Sequence, residues 1–381
     1  MNILSVNAGS AVSGAERVLF DLLGHETARG KTITLACPRG AITGQIPDGV
    51  SHLAIPHQIP NADPGARTIA KVLRTATIPA TWIATSLTLA RAARSADLVL
   101  VNSTFGLPAV ALASALLRAR RIQPPRVVWL AHDTVVKPKQ KIAARMGASA
   151  VDTVVAVSEP TAAAVRPWFR NVVVRTNGVD IPGPEFFQRR QAELASHEGT
   201  PVVGMLAAIT EWKAQDVFVQ AAADLVAEGV DVRVELAGAV FPGSENYGAS
   251  LRALVNDLGM AEKVHFLGHV SPDDVLARWD VLVSPSRLPE AGPLGVLEAL
   301  AHRVPVIATA LGGTLDYLRD NRGILIPPDR TADLTRALRE LLSNSDKAQA
   351  LSDAGFDAAQ KYYDKRQTIP SMWEAIRGSA Q

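Results

Sequence analysis

The sequence has a single cysteine, few aromatic residues and no strong excess of either charge. Cys37 is the only cysteine among 381 residues, which excludes a disulfide framework, a cysteine-based zinc site and an iron–sulfur cluster. Such cysteine usage is typical of a reducing compartment. With 48% hydrophobic residues and a net charge of +2, the chain is too apolar and too weakly charged to be disordered. Its length predicts about two domains.

The pattern also lacks a secretory leader and an uninterrupted membrane span. The chain opens Met-Asn-Ile-Leu-Ser-Val-Asn, with no basic stretch or long apolar core, which predicts a first strand and a cytoplasmic protein. The longest uncharged run, 98–117, has the length of a span. Polar residues and Pro108 interrupt it, so we expect a buried strand over 98–101, a loop and an Ala/Leu-rich helix.

Charge is distributed unevenly along the chain. Residues 1–182 carry a net charge of +10, and residues 183–381 carry −8. The basic residues of the first half form two clusters: Arg118, Arg120, Arg121 and Arg126, then Lys137, Lys139, Lys141 and Arg145. Such a face suits an anionic substrate or peripheral contact with the inner face of an anionic membrane, and equally a solvated surface without a partner. Nucleic acid is not expected, because no aromatic residues alternate with the basic ones.

Both halves begin with the same three elements: an apolar strand, a loop containing Gly or Ala, and an amphipathic helix. These are expected at 2–7, 8–14 and 15–23 in the first half, and at 202–206, 207–213 and 214–227 in the second. Further strands are expected at 32–37, 98–101, 127–130, 153–157, 232–237, 264–267, 281–285, 304–309 and 324–327. Because these strands are apolar throughout and helices separate most of them, they predict parallel sheets covered on both faces.

The predicted architecture is therefore two doubly wound α/β domains. We place them at 1–182 and 201–366, with a linker over 183–200 where proline, glycine and polar residues interrupt the pattern. Open sheets of this type bind ligands at the carboxyl ends of their strands. A cleft between the domains is the expected site.

Several familiar phosphate and metal motifs are absent. Gly9 and Gly14 do not form the G-x-G-x-x-G dinucleotide fingerprint. Gly30-Lys31-Thr32 resembles the end of a P-loop, but the upstream glycine is missing and the segment precedes a strand. No two aspartates are separated by one residue, and the histidines lack metal-ligand spacing, so no metal site is predicted.

The most informative segment runs from 284 to 313. A strand ends at Pro285, a loop carries Glu290, and Pro293 is expected to start a helix. A helix N-terminus at the carboxyl edge of a sheet is an anion site, here with the N–H groups of Leu294 and Gly295. Glu298 lies one turn further on, so two carboxylates, good acceptors for vicinal hydroxyls of ribose or hexose, flank this site. The spacing alone also fits a solvated loop glutamate and a locally paired helix glutamate.

A set of motifs in this order resembles glycosyltransferase family 4, whose members are retaining, nucleotide-sugar-dependent enzymes of GT-B fold. The motifs are Glu-x7-Glu at 290–298, Gly-Ala-Glu-Arg at 14–17, Ala-His-Asp at 131–133, Val-Ala-Val-Ser at 155–158, Asn-Gly-Val-Asp at 177–180, Trp-Lys-Ala-Gln-Asp at 212–216 and Val-His-Phe-Leu-Gly at 264–268. The resemblance covers nearly the whole chain. It implies two Rossmann-like domains facing across a cleft, with a C-terminal helix over 367–381 crossing back to the first domain.

The resemblance also implies residue roles. Glu290 binds hydroxyls of the donor sugar, Glu298 holds the nucleotide ribose, Lys213 neutralises the diphosphate, and His132 contacts the donor sugar. Further donor-binding positions are Gly14, Ala15, Gly238, Gly268, Leu294 and Gly295. The implied reaction moves a hexose-type sugar to an acceptor hydroxyl by front-side displacement, without metal or other cofactor. Acceptor contacts are expected on first-domain loops such as 41–66 and 105–108.

This sequence departs from the family pattern at two positions that would bind the diphosphate. Ala208 stands where members usually place an arginine, and Gly292-Pro293 replaces Phe-Gly, which removes one backbone N–H. Two other functions therefore stay open at this point. One is a nucleotide-sugar epimerase of the same fold, and the other is a non-catalytic nucleotide-sugar-binding homologue.

Overall fold

A computed structural model describes residues 1–58, 68–196 and 199–378. The chain divides into two compact units, Met1–Asn177 together with the described residues from Thr368 onward, and Gly178–Gln367. Each unit contains one sheet of parallel strands flanked by helices. The prediction of two doubly wound α/β domains is confirmed.

In the described part of the first unit, seven parallel strands form the sheet in the order β3-β2-β1-β4-β5-β6-β7. The strands are β1 (Asn2–Val6), β2 (Thr32–Cys37), β3 (Val50–Ala54), β4 (Leu98–Val101), β5 (Arg126–Ala131), β6 (Thr153–Ala156) and β7 (Val172–Val174). The helices are α1 (Gly14–Thr27), α2 (Thr68–Ala92), α3 (Leu107–Ala119), α4 (Pro138–Gly147) and α5 (Glu159–Val165). The central strands are buried on both faces, as their unbroken apolar sequences predict.

In the second unit, the described strands form a parallel sheet in the order β10-β9-β8-β11-β12-β13. The strands are β8 (Val202–Leu206), β9 (Arg233–Ala237), β10 (Val264–Gly268), β11 (Val281–Ser284), β12 (Val306–Thr309) and β13 (Ile324–Ile326). The helices are α6 (Pro184–Ala195), α7 (Gln215–Ala227), α8 (Glu245–Asp257), α9 (Pro272–Leu276), α10 (Leu294–Ala301), α11 (Thr314–Tyr317), α12 (Thr331–Ser343) and α13 (Ser345–Ala358). The last helix, α14 (Lys365–Arg377), begins in this unit and from Thr368 onward belongs to the first. Since β8 and β11 are neighbours, the segments that leave their carboxyl ends lie side by side.

The end of α14 belongs to the first unit. Trp373 is fully buried and its Nε1 donates to the carbonyl of Leu22 on α1 at 3.1 Å. Arg377 forms an ion pair with the buried carboxylate of Glu26 at 2.5 Å. These contacts attach the last helix to α1.

Most of the stretch predicted as a linker over 183–200 is the helix α6, residues 197 and 198 lie outside the described residues, and the division between the units lies at 177/178. Buried Arg190 on α6 donates to the carbonyls of Leu276 and Trp279 at 2.6 and 2.8 Å. A buried guanidinium is tolerated when such acceptors satisfy it. The polar sequence of this stretch does not predict a packed helix, because the partners of Arg190 are about ninety residues away in the chain.

Part of the predicted acceptor loop over 41–66 is the edge strand β3, while residues 59–66 lie outside the described residues. Both edge strands of this sheet carry weak sequence signals, because β3 mixes polar with apolar residues and β7 is only three residues long. The run 98–117 does form a strand followed by a helix, as predicted. Among the described residues, no helix combines the length and apolarity needed to span a bilayer.

Candidate active site

Lys213 and Glu290 form an ion pair at the carboxyl edge of the second sheet. Lys213 Nζ donates to Glu290 Oε2 at 2.5 Å, and the two side chains are only 16% and 10% exposed. Ser286 Oγ donates to Glu290 Oε1, also at 2.5 Å. Lys213 lies on the turn after β8 and Glu290 on the segment after β11, so the adjacency of these strands brings the pair together. Sequence reasoning selected both residues but missed Ser286.

A second set of contacts holds the Lys213 turn in place. Arg287 Nη1 and Nη2 donate to the Asp216 carboxylate at 2.8 and 2.6 Å. The backbone N–H of Arg287 donates to the carbonyl of Trp212 at 2.8 Å, and the ring of Trp212 lies 4.5 Å from Lys213 Nζ. The segment carrying Glu290 is therefore tied to the turn carrying Lys213. Arg287 was not predicted, although Asp216 stands in the quoted Trp-Lys-Ala-Gln-Asp motif.

The Asp216 carboxyl is held in its ionised form. Burial by itself would raise its pKa, but hydrogen bonds from Arg287 and Tyr247 outweigh burial and lower that pKa. The bidentate contact with Arg287 consequently persists at neutral pH.

Two glycines after β12 position the backbone of Glu290. The N–H of Gly313 donates to the Glu290 carbonyl at 2.7 Å. Gly312 has a φ of +61°, and a Cβ atom at this position would lie 2.2 Å from the same carbonyl oxygen. Only glycine combines this left-handed conformation with so close an approach.

The first turn of α10 borders the same site. Pro293 precedes the helix as its N-cap, so the expectation that it starts the helix is wrong by one residue. Leu294 and Gly295 are the first two helical residues, and their N–H groups have no acceptor within the helix. A Cβ atom on Gly295 would lie 2.8 Å from the carbonyl oxygen of Leu206, so glycine lets the helix start lie against the end of β8.

Several of these residues line one pocket. Its lining includes Lys213, Glu290, Leu294 and Gly295 from the predicted set, together with backbone and apolar side chains at the ends of β8 and β11. Glu298 does not line it and is buried within α10. The pocket therefore combines a cation, a carboxylate and a helix N-terminus, which is an arrangement suited to a phosphate next to hydroxyl groups.

Gly238 and Gly268 lie at the carboxyl ends of the next two strands, β9 and β10. The two residues form a backbone bridge with each other. A Cβ atom on Gly238 would lie 2.0 Å from the carbonyl oxygen of Ala207, so this position is closed to any side chain. A Cβ atom on Gly268 would meet nothing within 4 Å. Their predicted role beside a nucleobase stays a prediction.

The predicted residues of the first unit lie at the carboxyl edge of its own sheet. His132 follows β5 directly, and its Nε2 atom is buried without a hydrogen-bond partner among the described residues. Asp133 accepts a hydrogen bond from Thr104 Oγ1 at 2.7 Å. Gly14 and Ala15 are the first two residues of α1, after the N-cap Ser13. Burial lowers the pKa of His132 to about 4, so its imidazole is neutral at neutral pH.

Replacing His132 by glutamine is expected to flatten the acid dependence of stability. Between pH 6.5 and 4 the unfolded chain binds a proton on this histidine and the folded chain does not, so wild-type stability falls as the pH falls through this window. The shift corresponds to about 3 kcal/mol at most. Denaturant unfolding from pH 7.5 to 4.5 measures the effect, and the exposed His57→Gln variant is the control. Identical pH profiles for all three proteins would contradict a buried, neutral imidazole.

Metal-ligating residues are not gathered into a site in the described ranges 1–58, 68–196 and 199–378. No group of three or more His, Cys, Asp or Glu side chains there is arranged to hold a metal ion.

Two family models match the chain in succession. The model described as "Glycosyltransferase Family 4" matches residues 12–181, and the model described as "Glycosyl transferases group 1" matches residues 186–357. The two matches fall on the two structural units almost from end to end.

Curated relatives align over part of the chain. The chain is 28% identical over 203 residues to D-inositol 3-phosphate glycosyltransferase of Corynebacterium aurimucosum, covering 50% of this chain and 48% of that protein. It is 35% identical over 165 residues to GDP-mannose-dependent alpha-(1-6)-phosphatidylinositol monomannoside mannosyltransferase of Mycobacterium tuberculosis, covering 41% of this chain and 42% of that protein. The chain thus spans less than half the length of these relatives.

Solved structures resemble the chain over its full length. Anabaena HepE in complex with UDP-glucose matches with a TM-score of 0.81 at 20% identity, covering 99% of this chain and all of that one. WaaG, a glycosyltransferase involved in lipopolysaccharide biosynthesis, matches with a TM-score of 0.74 at 15% identity over the whole of both chains. At these identities the likeness establishes a shared fold.

Proposed function

The chain belongs to the family 4 glycosyltransferases and has their GT-B fold, and from this premise we propose that it transfers a hexose-type sugar from a nucleotide-diphosphate sugar to an acceptor hydroxyl. The acceptor class is a glycan, a glycolipid or a small molecule. Configuration at the transferred carbon is retained, and no metal ion takes part.

The observation that carries the proposal is the Lys213–Glu290 pair beside the first turn of α10. Cleavage of the donor adds a further negative charge to the diphosphate, and a fixed cation stabilises that charge most where water is excluded. Lys213 supplies the cation, and the N–H groups of Leu294 and Gly295 supply the dipole end of a helix. Glu290 then accepts hydrogen bonds from hydroxyls of the donor sugar, next to the bond that breaks.

The hydrogen bonds of Glu290 argue against a double displacement as the route to the proposed retention. A double displacement needs a free carboxylate nucleophile on the reacting face. Glu290 is the only carboxylate among the described residues that line the pocket, and both of its oxygens are already hydrogen-bonded, to Lys213 and to Ser286. The proposed reaction is a front-side attack, in which the departing phosphate oxygen takes the proton of the acceptor hydroxyl. Neutral His132 offers a donor or acceptor to a sugar hydroxyl.

Because of the two departures from the family pattern, Lys213 is the side chain left to bind the diphosphate. Ala208 contributes only its carbonyl, which accepts from Gln215 Nε2 at 3.0 Å. Pro293 lacks an N–H, but as the N-cap it leaves the donors of Leu294 and Gly295 in place. Lys213 is consequently the one cationic side chain among the described residues that line the pocket. Its loss should therefore be costly for an active enzyme.

Donor binding is expected to raise the melting temperature by several degrees in the absence of added metal. A ligand that binds only the folded state stabilises it by mass action. A thermal-shift assay measures this with a panel of ligands: UDP-glucose, GDP-mannose, other nucleotide sugars and the free nucleoside diphosphates. The Glu298→Ala variant should lose most of the shift, measured relative to its own unliganded midpoint, because Glu298 is proposed to hold the ribose.

The matched control is Glu340→Ala, which removes an exposed helix glutamate elsewhere in the second unit. It should retain the wild-type shift. No shift with any donor would contradict the proposed function and favour a protein that has lost nucleotide-sugar binding.

A further inference from the structure

The exposed side of α4 combines apolar and basic side chains. Ile142 and Met146 are 57% and 42% exposed and stand four residues apart, so they lie on the same side of the helix. Val136, 41% exposed, precedes the helix. The exposed basic residues of this segment are Lys137, Lys139, Lys141 and Arg145. We call these seven residues the α4 face.

The opposite side of α4 is packed against the first unit. Ala143, Ala144 and Gly147 are fully buried. A Cβ atom on Gly147 would lie 2.7 Å from Leu107 Cβ of α3, so the helix is held closely by its small residues. Arg145 has its guanidinium 5.0 Å above the ring of Trp168. The α4 face is therefore presented by a rigidly seated helix.

Charge on this segment is of one sign only. No aspartate or glutamate occurs between residues 134 and 151, and four cations stand among three exposed apolar side chains. Along the helix, Lys141 and Arg145 adjoin Ile142 and Met146 on one side, and Lys139 adjoins them on the other. An apolar ridge between two cationic borders matches a lipid surface, where apolar side chains enter the headgroup boundary and cations meet the phosphates.

We propose that the α4 face docks the first unit onto the surface of an anionic membrane. The occupant is a phospholipid surface with anionic headgroups, because this chemistry uses both the exposed apolar ridge and the uncompensated cations. A polyanion such as nucleic acid would use the cations and leave Ile142 and Met146 in water.

Docking through α4 would place a functional edge of the first unit near the lipid headgroups. Only five residues separate His132, at the carboxyl end of β5, from Pro138 at the start of α4. An acceptor anchored in lipid could therefore approach that edge without leaving the membrane. This consequence rests on the proposed function, whereas the docking itself does not involve the donor.

Flotation with vesicles tests the docking. The 381-residue chain should bind vesicles of phosphatidylglycerol and phosphatidylcholine at about 50 mM salt, and should bind pure phosphatidylcholine vesicles at least tenfold more weakly. Binding should fall steeply at about 500 mM salt, where charges are screened. The Lys139→Glu/Lys141→Glu variant should bind more than tenfold more weakly, since each cation near an anionic surface contributes about fivefold.

Two further variants separate the α4 face from basic charge in general. Arg118→Glu/Arg120→Glu makes the same charge change at the exposed end of α3 and should keep most of the binding. Ile142→Ser/Met146→Ser keeps every charge and should weaken binding severalfold. Equal losses in the two charge variants, or no loss in the serine variant, would overturn lipid docking by this face. Each variant should retain the wild-type thermal shift with donor, so a failure of docking is distinguishable from a failure of the proposed function.

Discussion

Replacing Lys213 by alanine is expected to lower the rate of nucleoside diphosphate release from the donor by about 100- to 1000-fold, the usual cost of removing one preorganised donor to a developing anion. Lys213 is the one cationic side chain that the described residues place in the pocket, and neither Ala208 nor Pro293 can replace it. The assay uses the donor that gives the thermal shift and measures the rate at which the nucleoside diphosphate is released. Either an acceptor or water can receive the sugar.

The substitution also leaves Glu290 without its cation. A buried carboxylate that loses its partner destabilises the fold, so the unliganded melting temperature must be recorded for each variant. Lys213→Ala combined with Glu290→Gln removes the uncompensated charge and should recover stability. Recovery would show that the stability loss of Lys213→Ala comes from the unpaired carboxylate.

The matched control is Lys263→Ala. Lys263 also forms an ion pair in the second unit, with Asp231, but both residues precede strands and so lie at the amino edge of the sheet. Its rate should stay within about twofold of wild type, because exposed ion pairs contribute little. A Lys213→Ala enzyme as active as this control would show that Lys213 does not contact the leaving group.

Replacing Gly312 by alanine is expected to destabilise the second unit by about 2–4 kcal/mol and to abolish the donor-induced thermal shift. The left-handed backbone costs about 1 kcal/mol for a residue with a side chain. The larger part comes from the methyl group, which would lie 2.2 Å from the Glu290 carbonyl oxygen and must push the Glu290 segment away. Calorimetry should show a drop of roughly 5–10 °C in the transition of this unit.

Gly259→Ala separates the cost of the left-handed backbone from the cost of the steric contact. Gly259 has a φ of +67°, close to that of Gly312, but a Cβ atom there would meet nothing within 4 Å. It should cost only the backbone strain and leave donor binding unchanged. If the two variants were equally stable, the approach of Gly312 to Glu290 would not be as close as the structure places it.

Within the candidate site, sequence reasoning selected residues but did not show their contacts. The sequence predicts that Glu290, Leu294 and Gly295 belong to the site, because the strand, the loop and the helix start that place them lie within about ten residues of one another. The partner of Glu290 does not follow in this way, because Lys213 is 77 positions away and meets it only through the pairing of β8 with β11. Arg287 and Asp216, 71 positions apart, are brought together by the same pairing.

By itself the sequence determined the two parallel sheets, most of their strands and the edge at which the proposed site lies, because apolar periodicity and turn residues are local properties. Only the tertiary structure decided that 184–195 forms a helix, that 50–54 forms an edge strand, and that Lys213 pairs with Glu290. These outcomes depend on strand order and on buried partners distant in the chain. Arg190 shows the reason most clearly. In the sequence it is one of several polar residues that suggest a linker, whereas in the structure its guanidinium is buried and donates to the carbonyls of Leu276 and Trp279.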